Sequence, residues 1–425
     1  MARPAGRPTS RGDSRLLASL RSAGCYSPLA PPSVNPPVKP RVILLVLDSV
    51  GVGAAPDAAA YDDEGANTLR HVDEAAGGLS LEHLGRLGIG NVVRLAGTPP
   101  APQPLGAFGT MVEVSAGKDS VTGHWELAGV ILDRPFPTFP HGFPPEVIDR
   151  FERRIGRASL GNVVASGTEI LQSLGEESRT SGKPIVYTSA DSVFQVAAHV
   201  ASVPVAQLHA WCASARAMLT GDVEVGRVIA RPFAGSRGAF VRTGDRKDFA
   251  VVPPAPTVLD TARAAGVPTT AVGKVGDLFS GRGIARDLPA KGNEACLAAL
   301  ASVVDEEPDP GGSLVFANLV DFDTLYGHRN DPAGYAKALR EFDGALGGLL
   351  EALRPRDVLM VTADHGNDPT TPSTDHSREL VPILAVGHQV PAGLDLGRRQ
   401  TFADVAATIA RLLALETPPT GTAFL

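Results

Sequence analysis

Three short apolar runs that each lead to an aspartate constrain this chain more than any other feature. Val-Ile-Leu-Leu-Val-Leu runs into Asp48, Ala-Asn-Leu-Val-Asp-Phe into Asp323, and Val-Leu-Met-Val-Thr-Ala into Asp364 and His365. Residues 42–47, 314–320, 358–362 and 381–386 lack the polar alternation of a half-solvated strand, so these strands must be covered on both faces. Helical patterns lie between them. Apolar side chains at Tyr335, Leu339, Phe342, Leu346, Leu349 and Leu353 recur at close to the helical period. A last helix is predicted from Thr401, whose hydroxyl would cap it, with Val405, Ile409 and Leu412 on one face. Covered strands alternating with helices predict a doubly wound α/β sheet.

The chain has 425 residues, more than the roughly 100–200 of a single domain. A stretch with several short strand-like runs and a basic segment, residues 227–247, lies between two proline-rich boundaries. We read residues 135–253 as a smaller α+β cap inserted into a core formed by 41–134 and 254–425. Residues with chemical potential occur on both sides of it. The first 40 residues hold eight prolines, six basic residues and a single acid, Asp13, with little apolar periodicity. Such a segment cannot bury enough surface to offset ordering entropy, so disorder is expected, with a translation start near Val34 or Val38 as the alternative.

Function classes narrow quickly. A net charge of −7 favours neither nucleic acid nor an anionic membrane surface. No apolar run approaches the ~20 residues that span a bilayer. Cys25, Cys212 and Cys296 lie far apart, which argues against a disulfide framework or thiolate metal site and fits a reducing, cytoplasmic location. No obligate protein partner is evident.

Ligand sites in open parallel sheets form beyond the carboxyl ends of the strands, so Asp48, Asp323, Asp364 and His365 should converge there. His328 follows five residues after Asp323, and His376 follows eleven after His365. One strand-end aspartate is commonly a helix cap, and one histidine is commonly structural. Three of each at these positions are better explained as metal ligands. Mixed imidazole and carboxylate donors suit Mn²⁺ or Zn²⁺ better than Mg²⁺ or Ca²⁺, and two such ions would clamp an in-line displacement. The other signal is the loop Gly117-Lys118-Asp119-Ser120-Val121-Thr122-Gly123-His124-Trp125-Glu126. Its glycines permit tight turns that present a hydroxyl, and a serine hydroxyl becomes nucleophilic beside a metal. Read alone, it is also an ordinary glycine-rich turn. There is no G-x-x-x-x-G-K-[ST] loop for a nucleoside triphosphate.

With these segments in view, the chain resembles the phosphopentomutase family of the alkaline phosphatase superfamily. The resemblance is carried by LDSVGVGAAPDA from Leu47, GKDSVTGHWELAG from Gly117, YTSADSVFQVAAH from Tyr187, VGRVIARPF from Val225, VGKVGDLF from Val272, VDFDTLYGHRND from Val320 and TADHGNDPT from Thr362. It covers essentially everything after Arg41. It implies an alkaline-phosphatase-like core with an inserted cap. It also implies one metal on Asp48, Asp364 and His365, and a second on Asp323, His328 and His376. The family nucleophile is a threonine; Ser120 stands at its position, with Thr122 as the alternative. The expected reaction interconverts ribose (or 2-deoxyribose) 1-phosphate and 5-phosphate through a phosphorylated enzyme and a bisphosphate. Two divalent ions, Mn²⁺ foremost, and a sugar bisphosphate activator, glucose 1,6-bisphosphate or ribose 1,5-bisphosphate, are implied. Ser189 and Asp191 are expected to bond ribose hydroxyls, Arg227, Arg231 and Arg242 to bind phosphate, and Lys274 to sit at the hinge facing it. A phosphatase or phosphodiesterase on the same core needs the same metals, and the cap segments favour the mutase. An inactive metal-binding scaffold would have no reason to keep six ligands and a hydroxyl.

Overall fold

The computed structural model describes residues 39–189, 191–387 and 389–425, so the expectations for the first 40 residues fall almost wholly outside the described residues. In chain order the strands are β1 (Arg41–Leu47), β2 (Ala107–Met111), β3 (Leu160–Val164), β4 (Ile185–Thr188) and β5 (Val193–His199). There follow β6 (Arg227–Ala234), β7 (Val241–Arg242), β8 (Lys247–Ala250), β9 (Thr269–Val272) and β10 (Arg286–Leu288). The last four are β11 (Ser313–Leu319), β12 (Asp357–Thr362), β13 (Val381–Gly387) and β14 (Asp395–Arg399).

Eight strands form one sheet in the order β10-β9-β11-β1-β12-β13-β2-β14. All seven residues of β1 are buried, as its unbroken apolar run requires. The parallel neighbours β11 and β12 flank it, with Leu319 opposite Leu47 and Thr362 opposite Val46. That register brings three carboxyl ends to one edge. β13 alone runs against both of its neighbours, so the sheet is mixed. Because β13 returns from the edge that β12 reaches, the whole connection, residues 363–380, stays on that edge. The helix Pro332–Ala352 packs on the sheet through Tyr335, Leu339, Phe342, Leu346 and Leu349, the predicted stripe, while Leu353 lies just beyond its end. The final helix starts at Ala403, two residues later than expected; Phe402 is its N-cap, and the Thr401 hydroxyl accepts from Ala403 N at 3.1 Å.

The remaining strands form a second sheet, β3-β4-β5-β6-β7, with β8 paired to β6. Its two faces carry separate apolar clusters, one around Phe143, Phe151, Phe194 and Trp211, the other around Ile170, Tyr187, Phe233 and Phe240. Phe136 and Val251, at either end of this stretch, pack instead with the core of the first sheet.

The far end of the first sheet is fastened by Arg41. Its Nε and Nη2 donate to Asp357 at 3.0 and 2.6 Å, and the remaining N–H groups reach the carbonyls of Val303, Val304 and Glu306. Both partners are buried. In chemical denaturation Asp357→Ala is expected to cost about 3–5 kcal/mol, because it strands a buried guanidinium. A loss below about 1 kcal/mol, the worth of an exposed pair, would contradict this assignment.

Candidate metal centre and nucleophile

Asp48 is the first residue past β1, and its N–H donates to Leu319 O at 3.2 Å. Ser49 takes a left-handed φ of 74°, an unfavourable conformation for a residue with a Cβ, held by two contacts. Its N–H donates to Asp364 Oδ1 at 3.1 Å and its hydroxyl meets Tyr335 Oη at 3.1 Å. Asp323 is not at a strand end; it lies four residues past β11 in the short π-helical turn Phe322–Tyr326. The apolar run continued past the strand through Val320 and Phe322, which hid that turn from the sequence.

All six expected ligands meet at this edge. His328 Nε2 lies 3.2 Å from Asp323 Oδ2, and His376 Nε2 lies 3.5 Å from Asp323 Oδ1. His365 Nε2 lies 3.3 Å from Asp48 Oδ1 and 3.4 Å from Asp364 Oδ2. Donor atoms of Asp48, Asp323 and His365 also fall within 4.8 Å of one another, so Asp323 faces both groups. Asp364 Oδ2 is buried without a hydrogen-bond partner. His124 Nδ1 approaches it at 3.0 Å, but that nitrogen also meets the Ser120 carbonyl at 2.9 Å, which can only accept its hydrogen. Three buried carboxylates, three imidazoles and an orphaned oxygen fit divalent cations.

The electrostatics of the cation-free protein follow from this crowding. Burial works to raise Asp48, yet the Lys274 ammonium and the hydrogen bond with His365 hold it down to about 2. Burial likewise opposes the charge on Asp323, and His376 and His328 hold it well below the usual carboxylate range. Burial disfavours the His328 cation, but the bond and charge of Asp323 push it up to about 9.

Ser120 opens the helix Ser120–Leu127, capped by Asp119, whose carboxylate accepts from Val121 N and Thr122 N. The Ser120 hydroxyl lies 3.2 Å from His365 Nε2, 3.4 Å from Asp48 Oδ1 and 3.4 Å from Lys274 Nζ. The Thr122 hydroxyl donates instead to Asp119 at 2.6 Å and serves the cap. Gly123 permits this approach: a Cβ there would stand 2.1 Å from the Asp364 carbonyl oxygen. Lys274 reaches both the hydroxyl and, at 3.8 Å, Asp48, so it belongs to the centre itself.

Sequence reasoning missed two supporting side chains. Asn318 on β11 donates to Asp48 Oδ2 at 3.2 Å, and its amide also meets His124 Nε2 at 3.2 Å. Asn367 donates to Asp323 Oδ1 at 2.9 Å. An amide interrupting an otherwise apolar strand was the available signal for Asn318.

The expected substrate residues are more dispersed. Arg227 stands 3.9 Å from Asp191 and 3.8 Å from Asp248, and lines a small cleft with Lys274 and Asp277. Asp191 is near enough for its charge to favour the His328 cation. Ser189 is half-buried just past β4. Arg231 donates to Gln195 at 3.1 Å, and burial lowers its guanidinium to about 10. Arg242 is exposed on β7 and lies against Gly167. Among the described residues neither Arg231 nor Arg242 pairs with the cluster of carboxylates and imidazoles.

Cation binding requires neutral imidazoles. With His328 protonated up to a pH of about 9 in the cation-free protein, cations must displace protons below that pH. Apparent affinity is therefore expected to rise with pH up to about 9, by about tenfold per pH unit for each proton displaced. Calorimetric titration in buffers of differing ionisation enthalpy checks this; the absence of proton release at neutral pH would remove His328 from the ligand set.

Known proteins resemble the chain over nearly its whole length. The metalloenzyme superfamily profile matches residues 40–417. A phosphopentomutase of Caldanaerobacter subterraneus subsp. tengcongensis is 53% identical over 385 residues, covering 91% of this chain and 97% of that protein. A phosphopentomutase of Anaeromyxobacter dehalogenans is 55% identical over 386 residues, covering 91% and 97%. Among solved structures, protein PH0037 of Pyrococcus horikoshii aligns with TM-score 0.46 and 14% identity over 89% of this chain and 97% of that one. The chain belongs to the metalloenzyme superfamily and, within it, to the phosphopentomutase family.

Proposed function

We propose that the protein is a phosphopentomutase, an isomerase that moves a phosphoryl group between C1 and C5 of ribose or 2-deoxyribose. The observation that carries this reading is the Ser120 hydroxyl, set within 3.4 Å of His365, Asp48 and Lys274 where the six ligand side chains converge. The relatives at over 50% identity support the same reading. Asp48, Asp364 and His365 would hold one cation beside Ser120, and Asp323, His328 and His376 the other, with Mn²⁺ suited to the mixed donors. Bound there, the cations would stabilise charge on the attacking and leaving oxygens.

Phosphorylated Ser120 donates its phosphoryl group to the C1 hydroxyl of ribose 5-phosphate: the Oγ–P bond breaks and an O1–P bond forms. The ribose 1,5-bisphosphate then reorients. Ser120 takes back the C5 phosphoryl group, the proton lost at O1 is matched by one gained at O5, and ribose 1-phosphate leaves. Lys274 places fixed positive charge where the phosphoryl oxygens would pass. A sugar bisphosphate, glucose 1,6-bisphosphate or ribose 1,5-bisphosphate, would prime the serine. We read residues 135–253 as a cap that keeps water from the phosphoserine. Within it Ser189 and Asp191 would bond ribose hydroxyls, and Arg227, Arg231 and Arg242 would offer planar donors to phosphate. No described helix is long and apolar enough to cross a membrane. A sugar-phosphate substrate and two free, buried cysteines are in keeping with the cytoplasm.

Incubation with Mn²⁺, a trace of glucose 1,6-bisphosphate and ribose 5-phosphate is expected to yield ribose 1-phosphate. Free phosphate as the sole product would favour a phosphatase. Ser120→Ala should lower turnover by more than about 10⁴-fold and abolish phosphoprotein, whereas Thr122→Ala should still incorporate phosphate.

A further inference from the structure

The segment that carries His376 continues into Arg378, a side chain only 2% exposed. All five of its N–H groups have partners. Nη1 donates to the carbonyls of Ser115 and Gly117 at 2.9 and 2.6 Å and also lies 2.7 Å from the buried Glu113 carboxylate. Nη2 donates to the Glu113 carbonyl at 2.7 Å and to Asp57 at 2.9 Å, and Nε reaches the same Asp57 carboxylate at 3.2 Å. Three of the five bonds therefore hold main-chain carbonyls of residues 113–117, the strip that leads into Asp119 and Ser120. Tyr61 covers the guanidinium at 4.9 Å.

This strip lies past the end of β2, where no described strand pairs with it. Buried main-chain groups need partners from elsewhere. On the N–H side Glu126, from the nucleophile helix, accepts from Val114 at 3.0 Å and Ser115 at 2.6 Å. On the carbonyl side the partner is Arg378. The two also meet through Asp63, which accepts from the Arg378 N–H at 2.8 Å and from Lys118 Nζ at 2.9 Å.

We propose that Arg378 is a positioning residue. It locks the main chain before Ser120 to the segment bearing His376, so that the hydroxyl and the cation ligand keep one fixed separation. The inference rests on reading Ser120 as the nucleophile. Lysine cannot substitute, since its ammonium has three donors on one atom and lacks the planar fork that spans three carbonyls and the carboxylates of Asp57 and Glu113.

The test uses the full chain loaded with two equivalents of Mn²⁺. Arg378→Lys should lower kcat by about 100-fold, the scale of a ~1 Å displacement of a reacting group, with KM for ribose 5-phosphate nearly unchanged. Transfer of phosphate from glucose 1,6-bisphosphate to Ser120 should slow by the same factor. Low guanidinium concentrations should partly restore turnover to Arg378→Ala but not to Arg378→Lys. A merely structural role predicts a lower Tm with unchanged kcat below the transition, and that result would overturn the proposal. If neither Arg378 variant folds, Asp57→Asn loosens the guanidinium while leaving its carbonyl contacts. A fall in kcat at constant KM supports the proposal, and parental kcat rejects it. Failure of the nucleophile reading would look different: Ser120→Ala would still become phosphorylated, whatever Arg378 variants do.

Discussion

Three carboxylates crowd the edge where β11, β1 and β12 end, and all three are buried. Water cannot screen them there, so opposite charge must come from the protein or from bound cations. Much of the surrounding structure supplies it. His328 and His376 face Asp323, His365 lies between Asp48 and Asp364, and Lys274 reaches across from the end of β9. Neutral amides complete the set, with Asn318 on Asp48 and Asn367 on Asp323. Remove the counter-charges and the register that brings the carboxylates together becomes a source of repulsion.

Sheet topology decides how such a set can be assembled from distant parts of the chain. The parallel strands deliver Asp48 and Asp364 directly. The antiparallel β13 keeps residues 363–380 on the same edge, so that this one connection supplies His365, Asn367, His376 and Arg378. The Ser120 hydroxyl arrives from another direction, on a helix whose first turn is capped by Asp119 and whose last turn is anchored by Glu126. Chemistry at one point therefore depends on segments more than 300 residues apart.

The central strands were legible because each is an unbroken apolar run, and Asp48, Asp364 and His365 stand just past the ends of two of them. The stripe from Tyr335 to Leu349 was legible for the same reason. Local pattern failed where a side chain's role is set by non-local geometry. The π-helical turn holding Asp323 has no periodic signature, and Lys274 resembles any loop lysine until β9 is placed beside β11. Arg378 carries no local signal, because its carbonyl partners lie more than 260 residues earlier. The arginines of residues 227–247 show the converse. Composition marked a basic segment, but it could not distinguish Arg227, which shares a cleft with Lys274, from Arg242 on an exposed strand.

The contact between Gly123 and the Asp364 carbonyl bears on how this scaffold can evolve. Position 123 bears no side chain of its own, yet any added carbon would wedge the helix away from the sheet and draw the serine off its partners. In a randomised library this site should be as unforgiving as the serine itself.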